Sequence, residues 1–207
     1  LKHFGECQQK HVWDQFTPYD LNHRTAGVIG LGGIGRRYAK IAAAFGMRVI
    51  AVDKHVSEKP EEVEELWPLE RLNDLCAEAD VVMIACPATS ETQGLIGAEQ
   101  LALMKPTGII INIARGGIID EPALIECLNA GRIAGAGLDV TRIEPLPDDD
   151  PLWDTPRLVI TPHIAGWSSD RSQSVVRFFC DNLRRYKAGE PLRNLVDQQL
   201  GYPVPGV

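Results

Sequence analysis

Residues 28–35 read VIGLGGIG, and four of the eight are glycine. An apolar pair opens the run, and RRYAKIAAAFGM, which has helical character, follows it. So much backbone freedom between a strand and a helix serves either a tight turn or the close approach of a ligand. The spacing Gly30-x-Gly32-x-x-Gly35 has the form of a dinucleotide-binding fingerprint, and its place between strand and helix is the context that supports it. Gly30 allows the tight turn, Gly32 removes the Cβ that would hold a pyrophosphate away, and Gly35 lets helix and strand pack closely. The helix N-terminus adds unpaired N–H groups and a positive dipole end. The next apolar run ends in Asp53, 18 positions beyond Gly35. A carboxylate there accepts hydrogen bonds from the ribose hydroxyls of NAD and repels the 2′-phosphate of NADP, with the adjacent Lys54 softening that repulsion. NAD is the expected cofactor and NADP the less favoured one.

Outward from this turn, apolar runs alternate with helix-like segments. The runs are AGVIG (26–30), RVIAVD (48–53), DVVMIAC (80–86), GIIINI (108–113), AGAGLDV (134–140) and RLVITP (157–162). Short, β-branched and continuously apolar, they fit strands buried on both faces of a parallel sheet. After the glycine run, Ile34, Tyr38, Ile41, Ala42 and Phe45 recur at helical spacing, and Gly46 sits where the helix would stop. Further helices are expected over 66–79, where Leu69, Leu72, Leu75 and Cys76 share a face, over 97–103, and over 121–130 with Pro122 near its start. A last helix runs to about Lys187, capped by Ser168 or Ser169 and closed by Gly189 and Pro191. The pattern predicts an α/β protein: a Rossmann-type doubly wound parallel sheet with flanking helices and right-handed crossovers.

The net charge of −7 argues against broad nucleic-acid or membrane-surface binding. There is no run of 18 uninterrupted apolar residues, and LKHFGECQQKHVWDQF at the start lacks the apolar core of a signal peptide. The five cysteines, Cys7, Cys76, Cys86, Cys127 and Cys180, are odd in number and show no CxxC or His/Cys cluster. They read as free thiols of a reducing cytoplasm, and no metal site is expected. The acidic patches EEVEE (61–65) and PDDDP (147–151) read as solvated turns.

Three charged residues end three successive late strands: Arg115 after INIA, Glu144 after LDV, and His163 in TPHIAG. In a parallel sheet the carboxyl ends of the strands face the ligand crevice. Arg115 can bind a carboxylate with two parallel hydrogen bonds. His163 can exchange a proton with an alcohol or carbonyl, and Glu144 can orient the imidazole and favour its protonated form.

With these residues in place, the chain resembles the D-isomer-specific 2-hydroxyacid dehydrogenase family. VIGLGGIG, ACPATSETQGLIG, MKPTGIIINIARGGIIDEPAL, GAGLDV followed by EPLP, and TPHIAG carry the likeness and cover most of residues 25–166. The resemblance implies that Arg115 binds the substrate carboxylate and carbonyl, that His163 is the general acid/base, and that Glu144 raises its basicity. It also implies NAD contacts at Gly33 and Ile34, Asp53, Pro87, Thr92, the strand end Ile113–Ala114–Arg115, Asp139 near the nicotinamide amide, and His163 to Ala165 and Gly166. Gly33 stands where the family often has a basic or polar residue, which removes a possible phosphate contact.

The implied organisation is an inter-domain helix and linker over 1–24 with Trp13 near the helix end, an NAD-binding domain over 25–166, and a C-terminal helix and tail over 167–207. The last would belong to a substrate domain that is largely absent. Only 27 residues precede Val28, where the family places a substrate domain. The implied partners are a small 2-hydroxy or 2-keto acid and a second copy of the chain, associated through the apolar face of Val175, Val176, Phe179 and Leu183. An NAD-binding module or fragment without turnover of its own is the alternative.

Overall fold

The structure is a computed structural model and describes residues 2–55, 58–198 and 201–203. Strand β1 (Thr25–Ile29) is buried at every position and lies at the centre of a parallel sheet. Its neighbours are β2 (Arg48–Val52) and β4 (Val81–Ile84). β3 (Glu65–Trp67), β5 (Ile109–Asn112), β6 (Gly135–Leu138) and β7 (Leu158–Ile160) complete the order β3-β2-β1-β4-β5-β6-β7. The chain therefore winds outward from β1 in both directions. The point where the order reverses, between β1 and β4, opens a crevice at the carboxyl ends of the strands.

Alternate strand residues feed the two faces of the sheet. Ala26, Val28, Val49 and Ala51 pack under helix α2 (Gly33–Ala44), together with Ala39 and Ala42. Ile29, Ile50, Val52, Val82, Ile84 and Ile110 pack under α3 (Leu72–Glu78), α4 (Ala98–Leu103) and α5 (Glu121–Asn129). Each large aliphatic side chain so buried contributes about 1.5–3 kcal/mol. On the far half of the sheet, β5 and β6 alternate between half-buried and buried positions, and Val159 on β7 is exposed.

The six expected strands form where the apolar runs lie, and a seventh, β3, joins them. It replaces the start of the helix expected over 66–79: Pro68 stops the strand, a 3-10 turn follows at Leu69–Arg71, and the α-helix begins only at Leu72. A three-residue edge strand is too short for a period to show. EEVEE is accordingly more than a solvated turn. Val63 is fully buried, and Glu64 and Glu65 join Glu78 around the guanidinium of Arg48. In PDDDP, Asp150 accepts from the Leu152 N–H and caps the 3-10 turn Pro151–Asp154.

The buried face of α2 is made of Gly35, Ala39 and Ala42, while Ile34, Ile41 and Phe45 are exposed. Close approach of helix to strand selects small residues and turns the large ones outward. Gly46, with φ +75°, follows the helix end as expected. The last helix, α6 (Arg171–Ala188), starts two or three residues after the expected serine caps. Its N-cap is Asp170, which makes no side-chain cap bond, and Gly189 closes it at φ 70°. None of its residues is buried. The first helix, α1 (Lys2–Gln9), ends before Trp13, which is 89% exposed. No helix among the described residues is long and apolar enough to cross a membrane.

Candidate active site

The glycine turn lies between β1 and α2. Gly30 has φ +94°, and a Cβ there would press on the backbone of Cys86 after β4. Gly35 has no room either, because its Cβ would overlap the Gly30 carbonyl. Gly32 and Gly33 differ: a Cβ on either meets nothing within 4 Å, so their backbone faces open space. Two glycines are thus required by packing, and two expose main chain to the crevice.

Asp53, at the end of β2, accepts from the Leu31 N–H at 2.7 Å and from the His55 N–H at 2.8 Å. Its carboxylate is thereby fixed against the glycine turn. Lys54 turns away into a two-pronged contact with Glu91 at 2.6 and 2.7 Å. Thr92 closes the loop after β4, donating its hydroxyl to the Pro87 carbonyl and accepting the Thr89 N–H, each at 2.8 Å. Gly30, Gly32, Asp53, Pro87 and Thr92 line one hollow of the crevice. Gly32, Gly33, Ile34, Ile113, Ala114 and Arg115 line the adjoining one. Tyr202, which no local pattern singles out, lines both and shares a 2.8 Å hydrogen bond with His55.

Two of the three strand-end charges, Glu144 and His163, meet farther along, in a hollow separate from the one Arg115 lines. His163 Nδ1 lies 2.6 Å from Glu144 Oε2. The hydrogen bond to His163 is the largest of the influences that hold the Glu144 carboxyl below its ordinary range, with the Thr141 N–H and the charges of His163 and Arg115 acting in the same direction against burial. An ionised carboxylate can only accept, so Nδ1 carries the proton and Nε2 is the nitrogen left for other chemistry.

Asp139 sets where His163 stands. Burial pushes its carboxyl up, but the Thr161 hydroxyl and the Ala165 and Ile164 N–H groups outweigh this and hold it low. Its carboxylate accepts from Thr161 Oγ1, Ile164 N and Ala165 N, and its carbonyl accepts the His163 N–H at 2.8 Å. This turn keeps His163 at φ 53°, a left-handed conformation that costs a β-carbon residue about 1 kcal/mol or more. Ala165 commits its N–H to this turn while its side chain stays exposed. Gly166, one residue on, is exposed, and a Cβ there would meet nothing within 4 Å.

Arg115 ends the segment after β5. Buried Asn112 ties this strand end, accepting the Ala114 N–H at 3.0 Å and donating to the Arg115 carbonyl at 2.9 Å. The guanidinium rests on the Ala114 carbonyl at 2.7 Å. Gly116 is the residue that lets this loop reach the next one: a Cβ there would overlap the Thr141 carbonyl. Glu121, the first residue of α5, is buried and accepts the Arg142 N–H, which clamps the same junction. Asn112, Gly116 and Glu121 are missing from the residues singled out in the sequence. Gly116 and Glu121 act through contacts between segments, which local spacing does not signal, whereas Asn112 acts within its own strand end. Cys86 lines the crevice, and burial pushes its thiol up to about 11.

The model of the D-isomer specific 2-hydroxyacid dehydrogenase NAD-binding domain matches residues 1–165. The glyoxylate reductase of Korarchaeum cryptofilum is 42% identical over 206 residues, covering 96% of this chain and 60% of that protein. The D-3-phosphoglycerate dehydrogenase of Methanocaldococcus jannaschii is 40% identical over 190 residues, covering 89% of this chain and 36% of that protein. The chain thus spans at most 60% of the length of these relatives. A D-isomer specific 2-hydroxyacid dehydrogenase from Xanthobacter autotrophicus Py2, solved in complex with NADPH and MES, superposes with a TM-score of 0.86 at 36% identity. The match covers 97% of this chain and 81% of that one.

Proposed function

Because the chain belongs to the D-isomer-specific 2-hydroxyacid dehydrogenase family, we propose that it carries the nucleotide half and the proton-transfer groups of an NAD-dependent oxidoreductase interconverting a D-2-hydroxy acid and a 2-keto acid. The observation that carries this reading is the 2.6 Å His163–Glu144 pair, which lines a hollow of its own at the late strand ends but lies within electrostatic reach of Arg115 on the crevice wall.

The crevice fits a dinucleotide. Gly32 and Gly33 present bare backbone at the N-terminus of α2, and Asp53 stands at the end of the adjacent strand. When bound, the nicotinamide cofactor supplies or takes up the hydride. Arg115 pairs with the carboxylate of the 2-keto acid and fixes its orientation. His163 gives the proton on Nε2 to the carbonyl oxygen in reduction and takes it back in oxidation. Glu144 holds Nδ1–H and balances the charge of the imidazolium. Asp139 and the turn it binds keep the ring in place.

NAD is the favoured cofactor on this reading. A 2′-phosphate would face the carboxylate of Asp53, and the adjacent basic residue, Lys54, is already matched by Glu91. The solved relative from Xanthobacter holds NADPH, so cofactor choice is the finer point for measurement.

Residues 1–24 act in this scheme as inter-domain helix and linker, 25–166 as the nucleotide domain, and 167–207 as a helix and tail directed to a substrate domain. Two copies of the chain associate. The thiols of Cys76 and Cys127, buried and free, suit a reducing cytoplasm. Oxidation of NADH against a panel of 2-keto acids tests the proposal; no member of the panel accepting hydride would overturn it.

A further inference from the structure

Away from the crevice, α1 and the segment after it bring three metal-ligating side chains together. His3 and Cys7 stand four residues apart on one face of the helix. The chain then reverses, so that Asp14 returns to them. Asp14 Oδ2 lies 2.7 Å from His3 Nε2, and Cys7 Sγ lies 3.5 Å from the same nitrogen. The ligand atoms of all three fall within 4.8 Å of one another. The reversal has its own supports. His11 takes a left-handed φ of 54°, and the Val12 N–H donates to the Cys7 carbonyl at 2.9 Å. The rings of Phe4 and Phe16 stack at 5.0 Å and 3° across the hairpin. The ligands are therefore gathered by contacts that need no ion.

We propose that His3, Cys7 and Asp14 form a binding site for a divalent transition-metal ion of the zinc class. Imidazole, thiolate and carboxylate together select such an ion over Mg²⁺ or Ca²⁺, which take oxygen ligands. Zinc bonds of about 2.3 Å to sulfur and about 2.0–2.1 Å to nitrogen or oxygen, in a tetrahedron, set an S···N edge of about 3.6 Å and an N···O edge of about 3.4 Å. The S···N distance of 3.5 Å already matches. The N···O distance of 2.7 Å must open by about 0.7 Å to reach that tetrahedral edge. An aspartate side chain 47% exposed accommodates this by rotating. The ion would replace the direct His3–Asp14 bond, displace the thiol proton of Cys7 to solvent, and keep a fourth position for water. None of the three residues lines the nucleotide crevice. The sequence hid the site because Asp14 reaches the His/Cys pair only through the reversal at His11.

Cobalt(II) is the direct probe, added to the chelator-treated full chain and then displaced by Zn²⁺. The expected result is one ion per chain with a sulfur-to-cobalt charge-transfer band and the strong visible bands of a tetrahedral site. Cys7→Ser should abolish the charge-transfer band. His3→Gln and Asp14→Asn should each weaken Zn²⁺ at least about tenfold, with NADH binding unchanged as the control for folding. Cobalt bound without the band, no binding at all, or Zn²⁺ held equally well by Cys7→Ser and His3→Gln would overturn the proposal.

Discussion

Replacing Gly32 with alanine separates what the glycine turn does for folding from what it does for binding. A Cβ on Gly32 meets no atom within 4 Å, and its φ of −66° suits any L-residue. The folded state therefore takes the methyl without strain. Loss of glycine's freedom in the unfolded chain, about 0.4–1 kcal/mol, is offset by alanine's poorer capping of α2 at this N-cap position, so stability should change little. The same methyl projects into the floor of the crevice, which Gly32 lines on both sides. With a pyrophosphate against that floor, the intrusion costs about 1–3 kcal/mol, the range for overpacking a close-fitted contact. At about 1.4 kcal/mol per decade, the Kd for NADH should rise roughly 5- to 150-fold. Gly35→Ala is the contrast, because its Cβ would overlap the Gly30 carbonyl and destabilise the fold itself. Urea unfolding gives stability, and quenching of tryptophan fluorescence by NADH gives affinity. A Gly32→Ala protein with an undiminished urea midpoint and an unchanged Kd would refute the placement of the dinucleotide phosphates on this turn.

Further outcomes follow from the same geometry. Asp53→Ala should narrow the preference for NADH over NADPH in parallel titrations; equal affinity for the two in the unmodified chain would remove Asp53 from cofactor selection. Glu144, held low first by its bond to His163, contributes its charge above the ordinary glutamate range and loses it as pH falls through the lowered value. Glu144→Gln removes that charge at every pH. For a pair this exposed the loss is about 1 kcal/mol, so keto-acid reduction should decline at lower pH than in the unmodified chain. An unshifted profile would argue against the pair. On α6, Val175, Val176, Phe179 and Leu183 are exposed. At about 1.5–3 kcal/mol for each large apolar side chain buried, light scattering should find a dimer or larger assembly that Phe179→Glu weakens. A monomer at all concentrations would contradict the homodimer.

What the sequence made legible was whatever local pattern determines. Continuous apolar runs announced β1, β2, β4, β5, β6 and β7, but only β1, β2 and β4 are buried on both faces, while β5 and β6 are fully buried on one and β7 is buried only at Leu158. The glycine spacing announced the turn, since a positive φ at Gly30 and close packing at Gly35 each admit little else. Arg115, Glu144 and His163 stood out as charges at strand ends. Contacts between distant segments were not legible. β3 has three residues and pairs at the sheet edge. α2 packs Gly35, Ala39 and Ala42, with Tyr38 beside them, so of the expected apolar face Ala42 and Tyr38 turn inward and Ile34, Ile41 and Phe45 turn out. Glu121 reads as an ordinary first-turn acid until the 141–142 loop is laid over it, and Gly116 reads as a turn until Thr141 is placed against it. Asp14 is a surface acid until the chain turns back on His3.

The most direct measurement is single-turnover oxidation of NADH by 2-keto acids, glyoxylate and hydroxypyruvate among them. It would be run on the unmodified chain and on His163→Gln, with NADH affinity taken from the same samples. The unmodified chain, which spans at most 60% of the length of its relatives, should bind NADH and oxidise it only slowly with 2-keto acids. His163→Gln should bind NADH with nearly the same affinity and lose at least about a hundredfold in rate, the lower end of what a positioned acid/base contributes. Equal, measurable rates in the two proteins would contradict the assignment of this site.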